Sequence, residues 1–172
     1  MRQWLSRPSR GSSADDLQQF ATLATACIGR PRCRSPWMGE RMIRGSCLCG
    51  AVRYEIRGPV THVTHCHCSM CRKAHGAAFG TYGRVERGDF VFLSGTDEVS
   101  SYRSSPEVSR TFCRRCGSTL QFISEKRPST LSVALGTLDD DLSVETSSHI
   151  FVGSKAPWFQ ITDDLPQHAA RP

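Results

Sequence analysis

The chain has 172 residues, 38% of them hydrophobic, and a formal net charge of +6. That length is about one domain's worth, enough to bury a modest core without covalent staples. No apolar run approaches the roughly 18 residues that a membrane-spanning helix needs. The N-terminal arginines are not followed by the apolar core and small-residue cleavage site of a secretory signal, so a cytoplasmic protein with no membrane role is expected.

The charge is unevenly placed. Residues 1–44 hold eight arginines against three acids, whereas 14 basic and 13 acidic residues follow from Gly45 onward. The basicity therefore belongs to the leader, and the electrostatics of the remaining chain argue against a nucleic-acid partner.

Three zones follow in chain order. Residues 1–44 are rich in Arg, Ser and Pro. They contain one candidate helix, capped by Asp15 or Asp16, with Leu17, Phe20, Ala21, Ala24 and Ile28 at helical spacing. A dozen such residues are marginal alone, so the zone reads as a disordered or loosely docked extension. Residues 45–166 read as a domain of short strands. In 51–58, Val52, Tyr54 and Ile56 alternate with Arg53, Glu55 and Arg57, the pattern of a half-buried strand. Further strands are expected at 79–86, 90–95, 109–113, 119–124, 130–136 and 147–153, and one helical turn near Ser69. Turn residues punctuate these runs and no long helical pattern intervenes, which predicts a mainly β, antiparallel domain. Residues 167–172 read as a polar tail.

Nine cysteines fall at 27, 33, 47, 49, 66, 68, 71, 113 and 116. The odd count, the absence of a secretion signal and the short spacings speak against a disulfide framework and for thiolate metal ligands. Zinc takes four ligands in a tetrahedron. A C-x-x-C turn aims two sulfurs at one point, and Cys113-x-x-Cys116-Gly117 adds the glycine that permits the backbone to reverse. The economical partition of seven clustered cysteines is four plus three. Cys47, Cys49, Cys113 and Cys116 would close one site. Cys66, Cys68 and Cys71 would give three sulfurs to a second metal and leave one position vacant, as reactive zinc sites do. His65, His67 or His75 could fill that position, although His67, between two ligands, should point elsewhere on an extended chain. Arg72 and Lys73 could offset the thiolate charge, or stay solvated. Iron or an iron–sulfur cluster is the competing use of the same ligands.

The stretches "GSCLCGAVRYEI", "HCHCSMCRKAHGAAF", "RTFCRRCGSTLQF" and "HIFVGSKAPWFQITDDLP" resemble, in order and spacing, the glutathione-dependent formaldehyde-activating enzyme (GFA) family, also called the centromere protein V/GFA domain family. The resemblance covers about residues 45–166. It implies a β-rich zinc-binding "tent" of the Mss-four-like kind with few short helices. It also implies two zinc ions: a structural one on Cys47, Cys49, Cys113 and Cys116, and a second on Cys66, Cys68 and Cys71 where a glutathione thiol is handled. The activity implied is a carbon–sulfur lyase reaction, the condensation of formaldehyde with glutathione to S-hydroxymethylglutathione, with a small-molecule thiol and aldehyde as partners. His67 and His75 are the candidate proton donors. Lys73, Lys155 and Trp158 are the candidate contacts to the thiol, although core burial is the commoner fate of such a tryptophan. The alternative is a non-enzymatic zinc module that binds protein or nucleic acid.

Overall fold

The structure, a computed structural model, describes residues 42–172. The candidate helix after Asp15-Asp16, together with Cys27 and Cys33, lies outside the described residues. The fold is mainly β, as the alternating runs predict. A small sheet joins β1 (Ile43–Ser46), β2 (Arg53–Ile56) and β5 (Phe90–Ser94) in the order β1-β2-β5. A larger sheet has eight strands. From one edge these are β11 (Gln167–His168), β10 (Ser148–Ile150), β3 (Thr61–Cys66), β4 (Gly80–Glu86), β9 (Thr130–Ala134), β8 (Thr119–Ser124), β7 (Val108–Cys113) and β6 (Val99–Ser105). Pairing is antiparallel except at one edge, where β10 runs parallel to both β3 and β11. The α-helix α1 (Ser69–His75) starts at the expected position. Among the described residues no helix is long and apolar enough to cross a membrane.

All seven strands expected from alternation are present, and four more appear. β1 is "IRGS", with Ile43 buried against β2. It begins two residues inside the segment assigned to the extension, because its second buried position is Gly45 and one buried apolar side chain makes no periodic signal. β6, "VSSYRSS", is a polar edge strand, the kind that blunts a sheet edge against aggregation. β11 falls in the residues read as a tail. Its two residues pair with β10, and the backbone N–H of Phe151 reaches the Ala170 carbonyl.

The two faces of the large sheet have different fates. One packs on the small sheet, where Val52, Tyr54 and Ile56 meet Val63, Val85, Leu120 and Val133 in a single core cluster. Gly83 belongs to this contact: a Cβ there would lie 2.3 Å from Val60 Cγ1, so only glycine lets the layers approach. The opposite face lines a cavity and mixes arginines and serines with Tyr82, Phe122 and Ile150. Arg84 pairs with Ser132, Ser132 with Phe122 and Phe122 with Arg110. Directly paired residues share a face, so these four form a row across β4, β9, β8 and β7. A neighbouring row runs from Ser148 through Thr64 and Tyr82 to Ala134. The first row and, of the second, Ser148, Thr64 and Tyr82 line a cavity of about 420 Å³.

Candidate metal centres and the cavity

Cys47 and Cys49 follow β1, and Cys113 and Cys116 end β7 and begin the turn into β8. Their four sulfurs lie within 4.8 Å of one another, with Cys47–Cys49 at 3.5 Å and Cys49–Cys113 at 3.9 Å. Each half-site ends in a glycine in the left-handed region, Gly50 at φ +71° and Gly117 at φ +77°. These reversals let Gly50 N–H reach the Cys47 carbonyl and Gly117 N–H reach that of Cys113, both at 2.8 Å. The Val52 N–H donates to Cys47 Sγ at 3.3 Å. Hydrogen bonds from Ser118, side chain first and then backbone, hold the Cys116 thiol down to about 5. Because β1 belongs to the small sheet and β7 and β8 to the large one, an ion held by this group would clip the two sheets together.

The second group arises from one short stretch. Cys66 ends β3, Cys68 caps α1 and Cys71 lies in its first turn. Cys68 Sγ accepts from the Cys71 N–H at 3.4 Å. The three sulfurs also lie within 4.8 Å of one another, and no further Cys, His, Asp or Glu among the described residues joins them. Hydrogen bonds from the Cys66 and then the Cys71 thiol push Cys68 far below the usual thiol range. This group opens on the cavity, whose wall includes all three cysteines.

The cation beside these sulfurs is Arg110, which sequence reasoning missed. Its guanidinium comes from β7, is 6% exposed, and stands 3.7 Å from Cys71 Sγ. A buried cation needs a negative neighbour, and the cysteine group, in which Cys68 is the thiol held low, lies beside it. Arg110 also donates to Tyr82 Oη at 3.2 Å, and that oxygen is 2.8 Å from His75 Nε2. Burial pushes the Tyr82 phenol up, so it stays protonated. Arg72, by contrast, is spent on the carbonyls of His67 and Ser154, and Lys73 is exposed outside the cavity wall.

The candidate histidines part ways. His75 approaches the cysteines only through Tyr82 and Arg110. His67 turns away from its neighbours, as alternation demands, and is fully buried. Its Nε2 is 2.8 Å from His149 Nδ1, and His149 Nε2 meets Asp163 at 3.0 Å. Phe79 and Phe159 flank the His67 ring, and burial lowers its pKa to about 4. His65 is tied to Thr81 Oγ1 at 2.9 Å. Lys155 bonds the Phe159 carbonyl. Trp158 is 71% exposed rather than buried. It meets Phe159 edge to face, and its segment, after a short turn at Val152–Ser154, runs over the surface away from the cysteines. Lys155 and Trp158 thus sit together, apart from the cavity.

Among the described residues two non-glycine residues adopt positive φ, His62 at +48° and Phe151 at +58°, and both line the cavity. Such conformations cost about 1–3 kcal/mol and gather at functional sites. His62 sits in the register break of β3.

A β-rich scaffold with a closed four-cysteine clip and three more cysteines facing a cavity defines a protein with two cysteine groups that could hold metal ions. The family model described as glutathione-dependent formaldehyde-activating enzyme matches residues 42–154, and the chain belongs to that family. A Halomonas elongata protein named "Putative glutathione-dependent formaldehyde-activating enzyme" is 29% identical over 127 residues, covering 70% of this chain and 81% of that protein. An uncharacterized lyase of Schizosaccharomyces pombe is 31% identical over 78 residues, 45% of this chain and 55% of the yeast protein. The crystal structure of a Rhodobacter sphaeroides protein shares the fold, with a TM-score of 0.50 at 23% identity over 58% of this chain and 91% of that one.

Proposed function

We propose that the protein is a zinc-dependent carbon–sulfur lyase-type enzyme that handles thiol–aldehyde adducts, joining glutathione and formaldehyde, or a closely related pair, to S-hydroxymethylglutathione. The observation that carries this reading is the difference in ligand number: four sulfurs close one group, while three sulfurs face an open cavity. Sulfurs about 2.3 Å from a tetrahedral zinc stand about 3.8 Å apart. The spacings of 3.5 and 3.9 Å in the first group and 3.6 Å between Cys66 and Cys68 fit that figure. All-thiolate donor sets also favour soft or borderline cations.

In this reading Cys47, Cys49, Cys113 and Cys116 hold a structural ion, and Cys66, Cys68 and Cys71 hold a second. A zinc ion bound there supplies a Lewis acid that lowers a thiol's pKa, so thiolate forms near neutral pH. The chain's own residues arrange the rest. Arg110 offsets the negative charge of the sulfurs. The substrate sulfur attacks the aldehyde carbon, the carbon–sulfur bond forms, and the carbonyl π pair moves to oxygen. The proton given up by the thiol ends on that oxygen. Tyr82, protonated and facing the cavity, is the donor for the developing alkoxide, and His75 orients its hydroxyl. His67 lies outside the cavity and takes no part in proton transfer.

The test is glutathione-dependent formaldehyde consumption by metal-replete protein, measured above the uncatalysed rate. Turnover should vanish in Cys71→Ser while bound zinc falls from two to one per chain. Full metal content with no rate above background would leave the non-enzymatic module, for protein or nucleic acid, as the better reading.

A further inference from the structure

The cavity wall is lined by four arginines, Arg84, Arg110, Arg127 and Arg171, and by no aspartate or glutamate. Arg110 is accounted for by Cys71 and Tyr82. The other three have no carboxylate partner among the described residues. They come from separate parts of the chain: Arg84 from β4, Arg127 from the turn between β8 and β9, and Arg171 from the segment after β11. The Arg84 Nε is buried without a hydrogen-bond partner. Arg127 is half-buried, and burial first, then Arg171 and Arg84, lowers its pKa. Arg171 lies over the Phe122 ring at 6.0 Å.

Three guanidiniums converging on one cavity repel one another, and desolvating them costs free energy unless an anion joins them. Arg84 and Arg127 are partly buried and Arg171 is exposed, yet all three line one wall. The guanidinium fork matches the two oxygens of a carboxylate.

We propose that Arg84, Arg127 and Arg171 form a carboxylate-binding subsite that selects thiols carrying a carboxylate remote from the sulfur. The inference rests on the reading that the thiol sulfur lies at Cys66, Cys68 and Cys71. The strand register sets the separation. Cys66 pairs with Gly80, and Arg84 lies four residues further along β4, about 13 Å at roughly 3.4 Å per residue. Arginine side chains reach back over part of that span. A tripeptide thiol such as glutathione, with a carboxylate at each end, fits between the two ends; a short thiol without a carboxylate does not engage the arginines. The subsite thus determines specificity and takes no part in bond formation.

The test uses the metal-replete full chain and a thiol-blocked probe, S-methylglutathione, beside its diethyl ester, followed by calorimetric titration. The diacid should bind the wild type at least about tenfold more tightly than the diester, the scale of one charge-assisted hydrogen-bond pair. Arg127→Gln should weaken the diacid by about tenfold and leave the diester unchanged, with zinc content and circular dichroism as in the wild type. Arg84→Gln should do the same, and Arg127→Lys should recover part of the loss. Equal affinity for diacid and diester, or Gln variants that bind the diacid as the wild type does, would overturn the subsite. Tighter binding of inorganic phosphate than of S-methylglutathione would overturn its assignment to carboxylates. The probe has no free thiol, so these outcomes stand whether or not turnover is found. Turnover of glutathione diethyl ester at the rate of glutathione would sink the subsite and leave the reaction standing.

Discussion

The two cysteine groups use the same ligand and are built in opposite ways. Cys47, Cys49, Cys113 and Cys116 are gathered from two sheets, with Cys49 and Cys113 64 positions apart in the chain. That group can form only when the sheets meet, and glycine reversals and backbone N–H groups complete its surroundings. Cys66, Cys68 and Cys71 sit at one strand end and the helix that follows, so the chain brings them together locally. Their surroundings, however, are long-range: Arg110 from β7, Tyr82 from β4 and Phe122 from β8. A group that closes a fold is remote in sequence and self-contained in space. A group suited to chemistry is local in sequence and depends on distant strands for its charge and its walls.

The sharpest way to break this comparison is to remove one ligand from each group. Cys113→Ser leaves a fully buried polar group in place of a ligand whose metal would contribute on the order of 10 kcal/mol to folding. Cooperative thermal unfolding should disappear, and a strong chelator should do the same to the wild type. A Cys113→Ser protein with an unchanged melting curve would show that the clip is not what joins the sheets. Cys71→Ser should keep a cooperative transition yet lose measurable turnover. If both variants unfold alike, the division into structural and reactive groups fails.

Arg110→Gln probes the charge around the second group alone. Outer partners of metal ligands are typically worth about 10–100-fold in affinity or activity. Competition with a metal-binding dye should show a loss of that size for one of the two ions and none for the other. Tyr82→Phe should lower kcat by about tenfold or more with KM nearly unchanged, since the hydroxyl acts on charge that appears only in the transition state.

An effect confined to high pH lies beside the clip. Tyr54 is fully buried, its hydroxyl is 2.7 Å from Thr137 Oγ1, and burial raises its pKa from 10 to about 12. The folded state thus favours the neutral phenol. Its contribution is intact below pH 10 and is lost as pH rises from 10 to 12, by roughly 2–3 kcal/mol. Denaturant titrations across that range should show a decline that flattens in Tyr54→Phe.

Much of this organisation is legible in the chain. The cysteine turns are readable from spacing, because C-x-C and C-x-x-C are local geometry, and four plus three is the economical way to count them into groups. The glycine after Cys116 is readable for the same reason, and the alternating strands announce themselves through period-two burial. The missed elements are those with too few apolar side chains to set a period, such as "IRGS" in β1 and "QH" in β11.

The cavity is a different matter. Lys73, Lys155 and Trp158 looked like ligand contacts because they are near the cysteine stretch or belong to a shared motif, yet closeness along the chain says little about which sheet face a side chain joins. Arg84, Arg110, Arg127 and Arg171 carry no distinguishing local pattern. What sets them around one space is the pairing of β4 with β9, β9 with β8 and β8 with β7, together with the docking of β11 on β10. Sequence alone determined the cysteine turns, since the spacing of sulfurs within a turn is a short-range property. Only the tertiary structure decided which charges meet them, since strand register is fixed by burying the opposite face of the sheet.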